Sequence, residues 1–459
     1  MSEAVFHERA RLRPAKRRSE PAKGMKASDI AARLTAAGVA LSLFPGAGQQ
    51  PLQALILSAM LLLLAGGFMI VTGPTAGRIS VLLGGAVLIA YAFSGLAGPL
   101  DRSAPGLAVL VSAGAVFAVG WIAAGRKGFY ESMLGAFIWC ACLFCAAVFF
   151  NAVSNLDRSA SGAIGFDTPE TASVVFGMLI LVGLGRISIA FKRARDSSLS
   201  RSDAVDRSMR HSLGGLLLMG LALACLAATG SNVGQMYGFG MALLYFAWEM
   251  RRTSAVRARG WLLQLMFILT PIAGLALVGG GVVMSLLPDT SEAGAVDNLL
   301  ARRWTDLGAA WSEQIWLGHG VGSFDTVRDS HATLFNYAAT SGPDGAHNVV
   351  LNVLVESGLL GAGLLLIVLL AVHAQVVRGA LGRRSRRSLA RLAICLSGLL
   401  ALHGMTQHSL DTPSVIWMYA LVVGMAAGTS GTKRLGATTS QPVTGSPQDV
   451  HVSGGLASP

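Results

Sequence analysis

Long apolar stretches alternate with short polar ones along almost the whole chain. Windows of about 19 residues, the length needed to cross a bilayer as a helix, predict about twelve membrane-spanning helices. Their approximate bounds are 29–46, 51–72, 79–98, 104–124, 130–152, 170–191, 212–229, 233–250, 261–287, 348–377, 387–408 and 413–430. The pattern therefore predicts an all-α polytopic membrane protein.

Basic residues sort by side of the predicted membrane. If the N-terminal tail is cytoplasmic, the connections on that side read "GRKGFY", "KRARDSSLSRSDAVDRSMR", "RRTSAVRAR" and "RGALGRRSRRSLAR". The basic residues of the opposite side are Arg102, Arg158, Arg302, Arg303 and Arg328. The positive-inside rule therefore places both termini in the cytoplasm. The net charge of +12 is then a topology signal with some contact to anionic lipid, and it gives no support for nucleic acid as a partner.

Composition agrees with this prediction. The 459 residues are 53% hydrophobic and only 13% charged, with a mean hydropathy of +0.58, whereas a soluble domain is about one quarter charged. All five cysteines fall in apolar segments, which favours buried small side chains over metal or redox chemistry. No cleavable signal peptide is expected.

One large extramembrane loop divides the predicted membrane helices. It covers 288–346, and separates an N-terminal bundle of about nine helices (27–287) from C-terminal helices (347–430). The first half of the loop has apolar residues at helical spacing, which predicts an amphipathic helix on the outer membrane surface. The segments 1–26, which is basic, and 431–459 are polar without apolar periodicity and are expected to be disordered cytoplasmic tails.

The second half of that loop contains "WLGHGVGSF", residues 316–324. Its three glycines favour a tight turn. A glycine-rich turn can also present backbone N–H groups to an anion, and this alternative stays open at the level of sequence.

The segment "DGAHNVVLNVLVESGLLG" joins this loop to the next apolar helix. Asn348, Asn352 and Glu356 recur every four residues and would share one helix face. Glu356 would then lie roughly 12 Å below Asn348, where a carboxyl group must be protonated or paired within the bundle. His347, at the mouth, could reach water and a substrate attached to a headgroup. The alternative is that Asn348 caps the helix, His347 is an interfacial residue and Glu356 makes a structural hydrogen bond.

His347 does not lie on that polar stripe. Nine residues separate it from Glu356, which carries it to the far side of the helix. The histidine is therefore the better candidate for catalysis, and Glu356 is predicted to be a structural residue within the membrane.

A second group of polar residues closes the eleventh predicted helix, in "LHGMTQHSLDTP". Asp411 follows His408 by three residues and could orient and charge its imidazole. His403 and Gln407 share another face. The alternative is an ordinary polar helix end, with His403 hydrogen-bonded to a neighbouring helix.

Three arginines on the outer side are candidates for phosphate binding, because the planar guanidinium group matches phosphate oxygens. They are Arg158, Arg302 and Arg303. The alternatives are an ion pair between Arg302 and Asp306 and contact of Arg303 with lipid headgroups.

Two absences in the sequence narrow the chemistry. The outer segments carry no D-x-D or E-x-D pair that could hold a divalent metal on a diphosphate, and the chain has no G-x-x-x-x-G-K-[ST] motif for ATP. No metal and no cofactor are therefore expected, and any reaction outside must use a preactivated, lipid-borne donor.

Three segments in order resemble the C-terminal half of the O-antigen ligase and O-antigen polymerase superfamily, which includes exopolysaccharide polymerases. They are "WLGHGVGSF", "AHNVVLNVLVESGLLGAGLLL" and "HSLDTPSVIWMYALVVGM". The resemblance implies a GT-C-like helical fold in the bacterial inner membrane. It also implies transfer of a glycan from undecaprenyl diphosphate to an acceptor hydroxyl, on another glycan or on lipid A core, at the periplasmic face.

The resemblance also implies roles for particular residues. The catalytic loop histidine of the family corresponds to His347, and its diphosphate-binding arginine to Arg303 or, one residue shifted, Arg302, with Arg158 assisting. Asn348, His408 and Asp411 would support the polar mouth. One position departs from the family pattern: "TGSNVGQ" has Asn232 where many members have arginine, so the diphosphate must be held by other residues or handled differently.

Polymerase and ligase activities differ only in the acceptor. The amino-acid sequences of the segments "GHGVGSF" and "HSLD" favour a polymerase. A polysaccharide or lipid transporter is the alternative from another class, since twelve helices and buried polar groups suit one. Against it, the sequence shows no internal repeat and no pair of interrupted helices in matching halves.

Overall fold

The computed structural model describes residues 27–44, 51–72, 100–125, 129–154, 166, 168–195, 201–250, 311–330, 348–381, 387–406 and 412–431. Within these ranges every regular element is an α-helix. The helices are α1 (Ala27–Leu41), α2 (Pro51–Thr72), α3 (Leu100–Gly125), α4 (Phe129–Ser154), α5 (Pro169–Arg195), α6 (Arg201–Ala228), α7 (Asn232–Met250), α8 (Phe324–Ser330), α9 (Val349–Leu381), α10 (Arg387–Thr406) and α11 (Pro413–Gly431).

The helices follow the hydropathy pattern closely. Each predicted span that falls on described residues coincides with a helix, while 79–98 and 261–287 lie outside the described residues. Seven helices in the described part are long and apolar enough to cross a membrane, and 413–429 of α11 is a shorter apolar helix. The chain is therefore a multi-pass membrane protein. The count of twelve spans stays a prediction. Most of the predicted amphipathic helix also lies outside the described residues. Residues 311–313, at the end of that predicted helix, are described and are helical.

Glycine allows the closest helix pairs to approach at the level of the backbone. A Cβ atom added to Gly424 or Gly428 of α11 would lie 2.3 or 2.2 Å from the carbonyl oxygen of Phe117 or Trp121 in α3. In a membrane this spacing of small residues is a common basis for helix association, because close backbones gain van der Waals contact. The buried indole of Trp417 in α11 adds a hydrogen bond to Ser112 Oγ of α3, at 2.7 Å.

A buried ion-pair network joins α5, α7 and α10. Glu249 of α7 accepts from Arg391 of α10 at 2.9 Å and from Lys192 of α5 at 2.7 Å. Ser188 and Ser388 also hydrogen-bond the same carboxylate. The charges of three helices thus meet on one carboxylate at a buried point, where a charge is stable only if it is paired and hydrogen-bonded.

The contacts between helix ends agree with the prediction from loop charge that successive helices cross the membrane in opposite directions. The Glu249 network brings together the C-terminal parts of α5 and α7 and the first turn of α10, which the charge pattern assigns to the cytoplasmic side. At the opposite ends, the fully buried His403 of α10 has its ring 6.2 Å from that of Tyr237 near the start of α7. Its imidazole also interacts with the backbone of Glu170 at the start of α5. Contacts at both ends therefore match a single up-and-down arrangement.

Replacing Glu249 with glutamine should destabilise this junction. Glu249→Gln would leave the buried guanidinium of Arg391 and the ammonium of Lys192 without their shared anion, at a cost on the order of 3 kcal/mol. We expect a lower Tm for the purified protein in detergent. Glu313→Gln is the matched control, since it removes the same charge from an exposed position. Equal melting temperatures for the two variants would show that the network contributes no net stability.

Candidate active site

The candidate site is built at the start of α9. Asn348 directly precedes this helix, and its Oδ1 atom accepts hydrogen bonds from the backbone N–H groups of Val350 (3.0 Å) and Leu351 (3.2 Å). This is an N-cap, in which a side-chain oxygen satisfies N–H groups that have no partner in the helix. The interpretation of Asn348 as a cap is confirmed. His347 lies outside the described residues, but its chain neighbour is thus held at a defined point.

Ten residues after Asn348, α9 is interrupted at Gly358. Its φ of 61° and ψ of −169° fall in a region of backbone conformation that only glycine adopts readily. In an uninterrupted helix, the N–H groups of Leu359 and Leu360 would donate to the carbonyl groups of Val355 and Glu356. The break separates these partners and leaves two donors and two acceptors to be satisfied elsewhere.

The glycine-rich loop supplies all four missing partners. Two of its N–H groups donate to the carbonyls before the break, and two of its carbonyls accept from the N–H groups after it. The bonds run from His319 N to Val355 O (2.9 Å), from Gly320 N to Glu356 O (2.9 Å), from Leu359 N to Ile315 O (2.8 Å) and from Leu360 N to Trp316 O (3.1 Å). Two helical hydrogen bonds are thus replaced by four between α9 and residues 315–320, the docking loop.

Glycine is required on both sides of this junction. Gly318 has a φ of 69°, and a Cβ atom there would lie 2.5 Å from the carbonyl oxygen of Glu356. A Cβ atom on Gly358 would lie 2.4 Å from the carbonyl oxygen of Trp316. The backbones could not approach so closely with any larger residue, so the glycines of "WLGHGVGSF" and of "VESGLLG" serve a single contact. The tight-turn interpretation of the loop accounts for these bonds, whereas the anion-binding alternative loses the N–H groups of His319 and Gly320.

A small apolar cluster continues the contact beyond the loop. Phe324 and Val327 of α8 pack on Val355 of α9, with Trp311 and Leu351 beside them. These residues form a cluster separate from the main core of the bundle. The docking loop, α8 and the first two turns of α9 therefore form one folded unit.

The polar stripe of α9 is partly shielded from solvent. Asn352 is buried and Glu356 is half-buried. The half-buried His319 lies beside them in the fold, because its backbone N–H bonds the residue next to Glu356. Sequence reasoning did not single out His319; its place between two glycines of the docking loop is the signal that could have drawn attention to it.

The group of polar residues that closes the eleventh predicted helix is described only in part. His403 is fully buried and in contact with neighbouring helices, which favours the structural alternative for this residue. Gln407, His408 and Asp411 lie outside the described residues. So do all three candidate phosphate-binding arginines, Arg158, Arg302 and Arg303.

Asn232, where the sequence resemblance leads us to expect an arginine, is the first residue of α7 and is exposed. The preceding Ser231 caps the helix by accepting from the N–H group of Gly234 at 3.2 Å. In the described ranges no three His, Cys, Asp or Glu side chains lie together so that they could hold a metal ion.

Comparison with known families bears directly on this assembly. Residues 217–366 match the family model described as O-antigen ligase. This region of the chain is thus similar to an O-antigen ligase domain. The expected relation to the O-antigen ligase and polymerase superfamily is thereby confirmed. No curated protein matches the chain at a significant level.

The O-antigen ligase domain, as matched, contains the whole docking contact. It begins within α6 and ends within α9, eight residues after Gly358. It also contains Arg302, Arg303, His347 and Asn348. The break in α9 and the loop that fills it therefore lie within the matched region rather than in its flanks.

Gly358→Ala should loosen the docking loop. Alanine at this backbone conformation costs on the order of 1–3 kcal/mol, and its Cβ atom would push against the carbonyl of Trp316. We expect trypsin cleavage after Arg328 in α8 to become about tenfold faster, because cleavage follows the population of locally opened molecules. Gly363→Ala is the control in the same helix, where an added Cβ atom meets nothing within 4 Å. Unchanged cleavage of the Gly358 variant would contradict the docking role.

Proposed function

We propose that this protein is a glycosyltransferase acting on lipid-linked glycans. It joins a glycan carried on undecaprenyl diphosphate to an acceptor hydroxyl at the periplasmic face of the bacterial inner membrane, and it polymerises O-antigen or exopolysaccharide repeats. The O-antigen ligase domain at 217–366 is the observation that carries this proposal. The charge pattern of the loops supports cytoplasmic termini and a periplasmic site.

The reaction requires the protein to position the acceptor hydroxyl and to neutralise the charge on the leaving diphosphate. The acceptor oxygen attacks the anomeric carbon, and the bond from that carbon to the lipid diphosphate breaks with the electron pair on the leaving diphosphate. His347 accepts the hydroxyl proton or orients the hydroxyl, as an imidazole that titrates near neutral pH can do. Its attachment to the capped start of α9 supports this role.

Arginine side chains neutralise the charge that develops on the diphosphate. Arg303, helped by Arg302 and Arg158, binds its oxygens without a metal ion. Asn348, His408 and Asp411 support the polar mouth, Asn348 as the helix cap. Because Asn232 stands where the resemblance leads us to expect an arginine, these external arginines must provide more of the binding to the diphosphate.

Two alternatives compete with this proposal. Transfer to lipid A core agrees with the description of the matched family, which is that of a ligase, whereas the residues of "GHGVGSF" and "HSLD" favour a polymerase. A transporter would use a broken helix to present free backbone groups to its substrate. In α9 the four groups at the break are bonded to the docking loop, which removes that argument for transport.

His347→Ala should abolish most product at a normal protein level. Loss of a general base or orienting group typically lowers the rate by 10²–10⁴-fold. The readout is polymer or ligated glycan in cells, with protein quantified in the same membranes. His211→Ala, an exposed histidine of α6, is the matched control and should keep full output. Wild-type output from the His347 variant would remove this residue from the mechanism.

A deletion strain should separate the two acceptors. For a polymerase, chain length is lost and single repeats are still attached to lipid A. For a ligase, long chains remain on undecaprenyl diphosphate. Analysis of the accumulated lipid-linked glycans measures both, and the first pattern is expected here. Normal glycan length together with normal attachment would contradict the proposed activity altogether.

A further inference from the structure

Helix α9 is longer than a bilayer requires. As one straight helix its 33 residues would span about 50 Å at 1.5 Å per residue, whereas the hydrocarbon layer is about 30 Å thick. The part after Gly358 matches that thickness by itself. Residues 359–377 contain no Asp, Glu, Lys or Arg, extend about 28 Å and are followed directly by Arg378.

The part of α9 before the break has a different character. It contains Asn352 and Glu356, and its Val355 packs against the short helix α8. The side chain of Asp329 in α8 is 71% exposed, and an exposed carboxylate is strongly disfavoured in hydrocarbon. Because α8 and Val355 lie side by side, this level of α9 belongs outside the hydrocarbon layer.

An exposed apolar patch lies at the break itself. Trp316 is 71% exposed, and Ile315, Leu317, Leu359 and Leu360 are exposed beside it. Backbone hydrogen bonds tie Ile315 to Leu359 and Trp316 to Leu360. Further along α9, Leu366, Ile367 and Leu370 are exposed as well. A surface of this kind on a membrane-spanning helix contacts lipid, and tryptophan is enriched where hydrocarbon meets headgroups.

We propose that the break at Gly358 marks the edge of the hydrocarbon layer, and that Ile315, Trp316 and Leu317 insert into the acyl chains there beside Leu359 and Leu360. The docking loop is then a membrane anchor. The polar stripe of α9 lies above this edge, so Glu356 sits at headgroup level and not roughly 12 Å inside, as a helix entering the membrane at Asn348 would place it. This level is also where the polar part of a lipid-linked substrate lies.

Spin labels on the full-length protein in phosphatidylethanolamine–phosphatidylglycerol vesicles test the depth. Single cysteines at Val350, Leu317 and Leu360 replace exposed side chains, in a background with the five native cysteines changed to alanine and with an unchanged Tm. Val350 and Leu360 lie on opposite sides of the break at Gly358. We expect the Val350 label to be reached by a water-soluble nickel relaxant, and the labels at 317 and 360 to be reached by oxygen, just inside the hydrocarbon.

Two results would overturn the proposal. A Val350 label buried in hydrocarbon, with Leu360 near the bilayer centre, would mean that α9 enters at Asn348. A Leu317 label as open to nickel as Val350 would place the loop in water.

A second measurement needs no cysteine replacement. Vesicles with bromines near the headgroup end of the acyl chains should quench part of the emission of the eight tryptophans, and Trp316→Phe should remove a fraction of that quenching. Phe keeps the apolar character of the position and is not part of the proposed catalytic groups. Identical quenching in the variant would contradict insertion of Trp316, whatever the enzymatic activity proves to be.

Discussion

The arrangement of the candidate site depends on satisfying four backbone groups at the break in α9. An unpaired N–H or carbonyl group costs several kcal/mol where water is excluded, so a helix can be interrupted near a membrane only if other groups replace the lost partners. Residues 315–320 provide them in pairs, two donors and two acceptors. Everything nearby follows from this exchange: the glycines at 318 and 358, the packing of α8 on Val355, and the closeness of His319 to the polar stripe.

Most helices could be predicted from the sequence, because crossing a bilayer requires an uninterrupted apolar length that few other structures need. The cap at Asn348 was also predictable, since the side chain acts on N–H groups only two and three residues away. The break at Gly358 was not. Gly361 and Gly363 stand in the same apolar segment, and only the loop some 40 residues earlier distinguishes Gly358 from them.

Contacts between distant helices were harder to foresee for the same reason. Glu249 ends an apolar helix, and its partners Lys192 and Arg391 come from segments far away in the chain. Hydropathy indicates which side a charge lies on but not which charge it meets. His403 shows the limit for the candidate site: the pattern left catalysis and packing open, and only its complete burial against α5 and α7 favours packing.

The docking contact uses main-chain atoms alone. Apart from the glycines that permit the close approach, none of the side chains at the junction takes part in its four hydrogen bonds, so we expect substitutions at 315–317, 319 and 359–360 to leave the frame in place. Side chains at these positions can therefore be exchanged while the backbone frame persists. At this junction the backbone sets the geometry, and the residues attached to it are left to set the chemical character of the surface.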